Sequence, residues 1–211
     1  MLVIKNLTKQ FKAGQPIFSN ISMEIRKGEG IGIVGPNGSG KTTFLRILSL
    51  NSFPTDGHVM YNGTDIHSSP NLYLEKVGLV HDEESLPRHL TAFELLEWVL
   101  RSRGKWHDGS KDKIEKLFDL LNLGQLDEPI GTYSTGMKKK VQIGAAFITE
   151  PELLILDEPL RGLDDSSREI VMKLLKEAKK RGALFLMASH STEIKDGLFD
   201  HIIQFPIKSE N

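Results

Sequence analysis

The stretch of sequence at residues 35–42 reads GPNGSGKT and fits the pattern G-x-x-x-x-G-K-[ST] of a phosphate-binding loop. An apolar run at residues 30–34 precedes it and is typical of a buried strand, while residues 43–50 carry apolar side chains at helical spacing. In a strand, glycine-rich loop and helix arranged in this order, backbone N–H groups and the helix N-terminus can surround an anion. The stretch therefore predicts that the chain binds a nucleoside triphosphate.

The side chains of this loop suit a triphosphate that is bound together with a metal ion. Lys41 is expected to reach the β- and γ-phosphates, and the Thr42 hydroxyl is expected to bind Mg²⁺. The glycines keep the loop open, because a Cβ atom would obstruct the inward-pointing N–H groups. The residues predicted to contact the nucleotide here are Gly35, Pro36, Asn37, Gly38, Ser39, Gly40, Lys41, Thr42 and Thr43.

Composition narrows the classes of protein that remain possible. The chain has 211 residues, enough for one compact α/β domain, and a formal net charge of −1. This balance provides no broad basic field, so a nucleic-acid partner is not expected. The chain has no cysteine, which excludes a disulfide scaffold, a thiolate metal site and a cysteine nucleophile. It also has no run of about 18 apolar residues, so we expect that it does not span a membrane.

The remaining periodicity indicates an α/β core interrupted by helices. Apolar or alternating runs predict strands at residues 2–6, 21–25, 58–61, 77–80, 153–157, 183–188 and 201–205. Helical periodicity is found at residues 92–100, 113–121, 138–148 and 166–181. We therefore predict one domain over residues 1–211, with a core at about 1–90 and 149–211 and an inserted helical subdomain at about 91–148. The three lysines at 138–140 are expected to form a solvated helix face.

Two adjacent carboxylates follow the apolar run at residues 153–156. Triphosphate hydrolysis needs an acidic group near Mg²⁺ and another group that positions or deprotonates the attacking water. Since neighbouring strand residues point in opposite directions, Asp157 and Glu158 are expected to have different roles. Asp157 is suited to bind the metal ion, and Glu158 is suited to position or deprotonate the attacking water.

The segment at residues 134–146 resembles the signature helix of the ATP-binding-cassette (ABC) ATPases, whose usual core is L-S-G-G-Q. Ser134 and Gly136 keep that pattern, whereas Tyr133, Thr135 and Met137 depart from it in a way similar to bacterial exporter subunits. A serine hydroxyl, a glycine N–H and a helix N-terminus can form a second anion site. In the family, this site acts on the ATP of the opposite subunit.

Other family motifs follow in the expected order. Residues 161–164 resemble the D-loop, with Arg161 where serine is common, and His190 resembles the switch histidine that senses the γ-phosphate. Phe11 lies where the family places an aromatic residue that stacks on adenine, although burial in the core would also explain it. Asp82 falls at the position of the family's Q-loop glutamine. A carboxylate there can bind Mg²⁺, or it can be a solvated loop acid.

The resemblance covers residues 11–190 and implies both a fold and an activity. The fold would be α/β, with a P-loop NTPase core, a mostly parallel sheet, an N-terminal antiparallel β subdomain and the helical insertion. The activity would be hydrolysis of ATP with Mg²⁺, with Lys41, Glu158 and His190 as catalytic residues. The implied partners are a second nucleotide-binding subunit, identical or not, and separate transmembrane permease subunits. The chain would then be cytoplasmic and peripheral on the inner face of the cell membrane.

Three alternatives stay open at this point. A soluble ABC-type ATPase without a permease is the first, although the chain has no long coiled coil, zinc cysteines or second cassette. A GTPase or small-molecule kinase is the second, but no N-K-x-D guanine motif is present. The third is a regulatory subunit that hydrolyses ATP weakly. Glu158 and His190 argue against it, and Asp82 leaves it open.

Overall fold

The computed structural model describes residues 1–82, 86–124, 127–189 and 197–207. Its strands are β1 (Leu2–Lys12), β2 (Gln15–Ile25), β3 (Gly30–Val34), β4 (Asp56–Tyr61), β5 (Thr64–Asp65), β6 (Val77–Val80), β7 (Leu153–Asp157), β8 (Leu184–Ala188) and β9 (His201–Gln204). Its α-helices are α1 (Lys41–Leu48), α2 (Pro70–Leu74), α3 (Ala92–Ser102), α4 (Ser110–Leu120), α5 (Thr135–Phe147) and α6 (Asp165–Lys180). A short 3₁₀ helix spans Ile130–Thr132.

A parallel sheet with the strand order β6-β7-β8-β3-β9 carries the phosphate-binding loop. Strands β3, β7 and β8 are buried along their whole length, which explains why their sequences are apolar runs rather than alternating patterns. Strand β3 lies between β8 and β9 and pairs with both in parallel. The prediction of a mostly parallel sheet in an α/β fold is confirmed.

An antiparallel sheet with the order β2-β1-β4-β5 contains the N-terminal strands, as predicted. Strands β1 and β2 are longer than the predicted runs, because they continue through half-exposed and then exposed residues to a tight turn at Gly14, where φ is +73°. The inner face of this sheet packs on α1 and on one face of the parallel sheet through residues such as Ile4, Phe18 and Phe44.

Helices α3, α4 and α5 lie within residues 91–148 and pack on the other face of the parallel sheet, together with α6. A capping box starts α3, since the Thr91 side chain accepts from the Glu94 N–H while the Glu94 carboxylate accepts from the Thr91 N–H. One apolar cluster runs from these helices to β7 and β8. The assignment of residues 91–148 to a separate subdomain stays a prediction. None of the helices in the described part of the chain is long and apolar enough to cross a membrane.

The prediction that Lys138, Lys139 and Lys140 form a solvated face is wrong. Their exposed fractions are only 9%, 6% and 9%, since α5 is covered by neighbouring segments on almost every side. The Lys139 ammonium donates to the His81 carbonyl at 3.0 Å, and the Lys140 ammonium donates to the Asn122 carbonyl at 3.3 Å. The aliphatic stems are therefore buried while the ammonium groups reach backbone oxygens of adjacent loops.

Candidate active site

A pocket of about 480 Å³ lies against the phosphate-binding loop. Its walls come from four parts of the chain that the fold brings together at the carboxyl ends of β3, β6 and β7, with β2 alongside. The lining residues are Ile17, Asn37, Gly38, Ser39, Gly40, Lys41, Thr42, Thr43, Asp82, Glu158 and Arg161. Most of the predicted phosphate-contacting residues therefore face one cavity.

The loop takes a conformation that glycine makes possible. Gly38 and Gly40 have φ angles of +77° and +105°, a region that favours glycine. A Cβ atom on Gly40 would also lie 2.7 Å from the Ile17 side chain. Gly40 precedes α1 and provides no side-chain cap, so the first N–H groups of the helix remain suited to an anion.

The Lys41 ammonium is held inside the loop. The residue is 6% exposed, and its Nζ donates to the carbonyl oxygens of Gly35 at 2.8 Å and Pro36 at 3.2 Å. Gly35 and Pro36 thus act through backbone oxygens and do not line the pocket themselves. These bonds place a buried positive charge beside the space that the loop encloses.

Asp157 and Glu158 diverge at the end of β7. Asp157 is 4% exposed and accepts a hydrogen bond from the Thr42 side chain. Burial raises the pKa of the Asp157 carboxyl, and the bond from Thr42 opposes that shift. Glu158 has a φ of +48°, a left-handed turn that ends the strand, and it lines the pocket while being only 8% exposed.

Thr42 and Asp157 fit a magnesium ion that is bound mainly through phosphate. The Asp157 Oδ1 atom is buried, and no donor among the described residues reaches it. Within residues 1–82, 86–124, 127–189 and 197–207, no group of three His, Asp or Glu side chains could hold a metal alone. Mg²⁺ typically takes only one or two protein oxygens and completes its shell with water and substrate phosphates. The donor set therefore suits Mg²⁺ with a nucleotide.

Asp82 lines the same pocket, but its carboxylate contacts an arginine. The Arg161 Nη1 atom lies 3.0 Å from Asp82 Oδ1 and 3.1 Å from Oδ2. The Arg161 side chain is 68% exposed and the Asp82 side chain 32% exposed. The predicted binding of Mg²⁺ by Asp82 stays a prediction, and Arg161 is a pocket residue that the sequence did not identify as a site residue.

The ammonium of Lys139, on α5, interacts electrostatically with the acidic groups of the site. Burial lowers the pKa of its ammonium, while the nearby charges of Asp82, Asp157 and Glu158 oppose that shift. The hydrogen bond from Lys139 to His81 ties helix α5 to the loop that carries Asp82. Little in the sequence indicates that Lys139 would make this contact, because it lies in a run of three lysines beside the signature motif and lysine runs are more often solvated.

Ser134 and Gly136 do not join the phosphate-binding loop within the described part of this chain, since neither lines the pocket. The Ser134 hydroxyl caps α5 by accepting from the Met137 N–H at 3.3 Å. A Cβ atom on Gly136 would lie 3.0 Å from the Gly162 carbonyl oxygen. The first turn of α5 therefore packs closely against the loop that follows Glu158.

Phe11 and His190 have different outcomes. Phe11 is 71% exposed near the end of β1, so the alternative that its ring is buried in the core is wrong. Its ring contacts the Lys9 ammonium, 4.9 Å from the ring centroid, and does not line the pocket. His190 lies outside the described residues.

Ile17, which covers Gly40, was not predicted as a site residue, because nothing in the sequence distinguishes it from other strand residues.

The strand β3, the loop at residues 35–42 and helix α1, together with the two carboxylates after β7, define a P-loop nucleotide-binding protein of the α/β class. A sequence model described as ABC transporter matches residues 18–161. The chain belongs to the ABC transporter family, and its fold is that of an ATP-binding cassette.

Two curated relatives and a solved structure place the chain within this family. It is 37% identical over 186 residues to the "Uncharacterized ABC transporter ATP-binding protein YcbN" of Bacillus subtilis (strain 168), covering 87% of this chain and 59% of the relative. It is 35% identical over 188 residues to the "Bacitracin transport ATP-binding protein BcrA" of Enterococcus faecalis, covering 88% and 60%. The chain thus spans about three fifths of the length of these relatives. A dimeric post-hydrolysis structure of the ATP-binding cassette MJ0796 with ADP and Pi matches with a TM-score of 0.84 and 25% identity, covering 97% of this chain and 94% of that one.

Proposed function

We propose that this chain binds ATP with Mg²⁺, hydrolyses it to ADP and phosphate, and serves as the nucleotide-binding subunit of an ABC transporter. The observation that carries the proposal is the pocket in which the phosphate-binding loop faces Glu158. Thr42 and Asp157, which are hydrogen-bonded to each other beside that loop, supply oxygen ligands for the metal. In P-loop NTPases generally, the loop backbone and its lysine bind the phosphates, while the loop serine or threonine and an aspartate hold Mg²⁺.

Each residue of the site has a distinct task in this proposal. Lys41 and the N–H groups of the loop bind the outer phosphates, while Thr42 and Asp157 hold Mg²⁺. The bound ion neutralises charge that develops on the phosphate oxygens. Glu158 orients the attacking water and accepts its proton. His190 contacts the γ-phosphate, as the family resemblance implies.

We further propose that the working unit is a dimer in which two ATP molecules lie between two cassettes. Ser134 and Gly136 are separated from the loop of their own chain, as expected of groups that complete the site of a partner. The match to a dimeric cassette with ADP and Pi supports this arrangement. The dimer would act with separate permease subunits at the inner face of the cell membrane, in a transport system similar to that of the bacitracin transport relative.

A direct test measures ATP binding and phosphate release by the purified chain with and without Mg²⁺. We expect ATP binding and Mg²⁺-dependent phosphate release, with a rate that rises more steeply than linearly with protein concentration, because two chains form each complete site. Absence of ATP binding would contradict the proposal at its first step. Coupling to transport is tested separately, by purifying the chain from its native cells, where it should be recovered together with a membrane-spanning permease. Recovery of the chain in a soluble complex instead would favour an ABC-type ATPase without a permease.

The predicted role of Phe11 in adenine binding has its own test. Replacing Phe11 by Ala should weaken ATP binding at least about fivefold, because stacking a base on an aromatic ring contributes about 1–3 kcal/mol. Binding of tripolyphosphate, which has no base, should not change. Isothermal titration calorimetry with both ligands checks this difference. Phe53→Ala is a matched control, since Phe53 is 70% exposed and stacks on His67 outside the pocket. An equal loss for both ligands would contradict stacking.

A further inference from the structure

The two side chains of the pocket that depart from the usual ABC pattern contact each other. Asp82 replaces the Q-loop glutamine, and Arg161 stands where the D-loop commonly has serine. They are 79 positions apart in sequence, yet one guanidinium nitrogen of Arg161 lies within 3.1 Å of both Asp82 oxygens. The two departures thus form one ion pair at the wall of the pocket.

The charges that line the pocket indicate why the Asp82 carboxylate needs a positive partner when phosphates bind. The lining contains two acids, Asp82 and Glu158, and two cations, Lys41 and Arg161. Lys41 is already bonded to carbonyl oxygens inside the loop. Without Arg161, the Asp82 carboxylate would face the pocket as a negative charge and would repel the phosphates of a bound triphosphate. The usual glutamine creates no such repulsion because it is uncharged.

Lys139 does not replace Arg161 in this role. Its ammonium lies on the α5 side, bonded to the His81 carbonyl, and its charge is shared among Asp82, Asp157 and Glu158. Arg161 stands on the loop after β7 and is mostly exposed, so it can hold Asp82 at the solvent side of the pocket. Both carboxylate oxygens of Asp82 accept from one Arg161 nitrogen, so binding of Mg²⁺ by Asp82 would compete with this contact.

We propose that Arg161 is a positioning residue for the triphosphate: it neutralises and restrains Asp82, so that a carboxylate can stand beside the phosphates without repelling them. This inference rests on the proposed function, because it concerns binding of the same nucleotide. It assigns Asp82 to a structural ion pair rather than to Mg²⁺.

A double-mutant cycle with R161A and D82N tests the proposal through binding rather than turnover. We expect R161A to weaken ATP binding about fivefold, the effect of a charge contact near the upper limit for exposed pairs. ADP binding should weaken less, because ADP carries less charge. D82N combined with R161A should restore ATP affinity to near the wild-type value, and R161K should retain most of it. The Mg²⁺ concentration needed for half-maximal ATP binding should be the same in D82N as in the wild type.

Calorimetry at fixed ionic strength measures these affinities, and thermal unfolding of each variant shows whether the fold is retained. R101A is the matched control, because Arg101 is 55% exposed and pairs with Glu97 on α3, outside the pocket. If R161A is equally harmful in the D82N background, or harmless in the wild type, the proposal is overturned. A raised Mg²⁺ requirement in D82N would also overturn it and would favour Asp82 as a metal ligand. If the wild-type chain binds no ATP, the proposed function itself fails, a result distinct from all of these.

Discussion

Replacing Glu158 by Gln is expected to abolish phosphate release while ATP binding is retained. The amide keeps the size of the side chain, so the pocket that Glu158 lines should keep its shape. It cannot accept the proton of the attacking water, and such general-base catalysis contributes about 10²- to 10⁴-fold to a rate. In the proposed dimer, unhydrolysed ATP would stay between the two cassettes, so the variant should accumulate as a dimer in the presence of Mg²⁺-ATP. Phosphate release and size-exclusion chromatography measure the two effects.

The control for this variant is Glu169→Gln, which makes the same chemical change at an exposed position on α6, away from the pocket. It should hydrolyse ATP at the wild-type rate and should not shift to a dimer. A normal rate in the Glu158→Gln variant would show that Glu158 is not the base. A loss of both binding and turnover would instead indicate that the substitution damages the pocket.

Replacing Lys41 by Met should weaken ATP binding by about 10- to 100-fold, since hydrogen bonds to charged groups contribute about 1.5–3 kcal/mol and more than one phosphate oxygen is within reach of an ammonium. Methionine keeps a long unbranched stem in a position that is 6% exposed, so the loss should come from the missing ammonium, including its bonds to the Gly35 and Pro36 carbonyls, rather than from packing. Equilibrium binding of ATP, together with thermal unfolding, checks both parts of this expectation.

Lys173→Met on α6 removes the same charge from an exposed position and should leave ATP affinity unchanged. If Lys41→Met binds ATP as tightly as the wild type, the loop does not hold the phosphates in the way proposed here. The Lys41→Met and Glu158→Gln variants also separate two steps, because Lys41→Met should lose ATP binding and Glu158→Gln should lose only hydrolysis.

Local patterns were sufficient to predict the central fold. The strands β3 and β7 are buried on both faces, so their sequences are short apolar runs. Such runs predict strands without any knowledge of the neighbouring segments. The loop at residues 35–42 is contiguous, and its glycines are required by its own backbone angles. Asp157 and Glu158 could be predicted as site residues because they lie at the carboxyl end of such a strand.

Contacts between distant segments could not be predicted in this way. The burial of Lys139 depends on a carbonyl 58 positions away, and the Arg161–Asp82 pair joins loops after β6 and β7. A lysine run and an isolated arginine look like surface residues in sequence, because most of them are. The positions of Ser134 and Gly136 relative to the loop likewise depend on how α5 packs, which no local pattern encodes.

The position of β3 in the sheet also sets the order in which the nucleotide site can form during synthesis. The phosphate-binding sequence leaves the ribosome early, but both strands that flank β3 come from residues 184–204. The Phe205 N–H then donates to the Val34 carbonyl at 2.7 Å, just before the loop. A nascent chain that ends at residue 180 therefore contains the complete loop sequence and neither of the strands that hold it. Premature termination in this region would yield a product with the ATP-site motif and no ATP site.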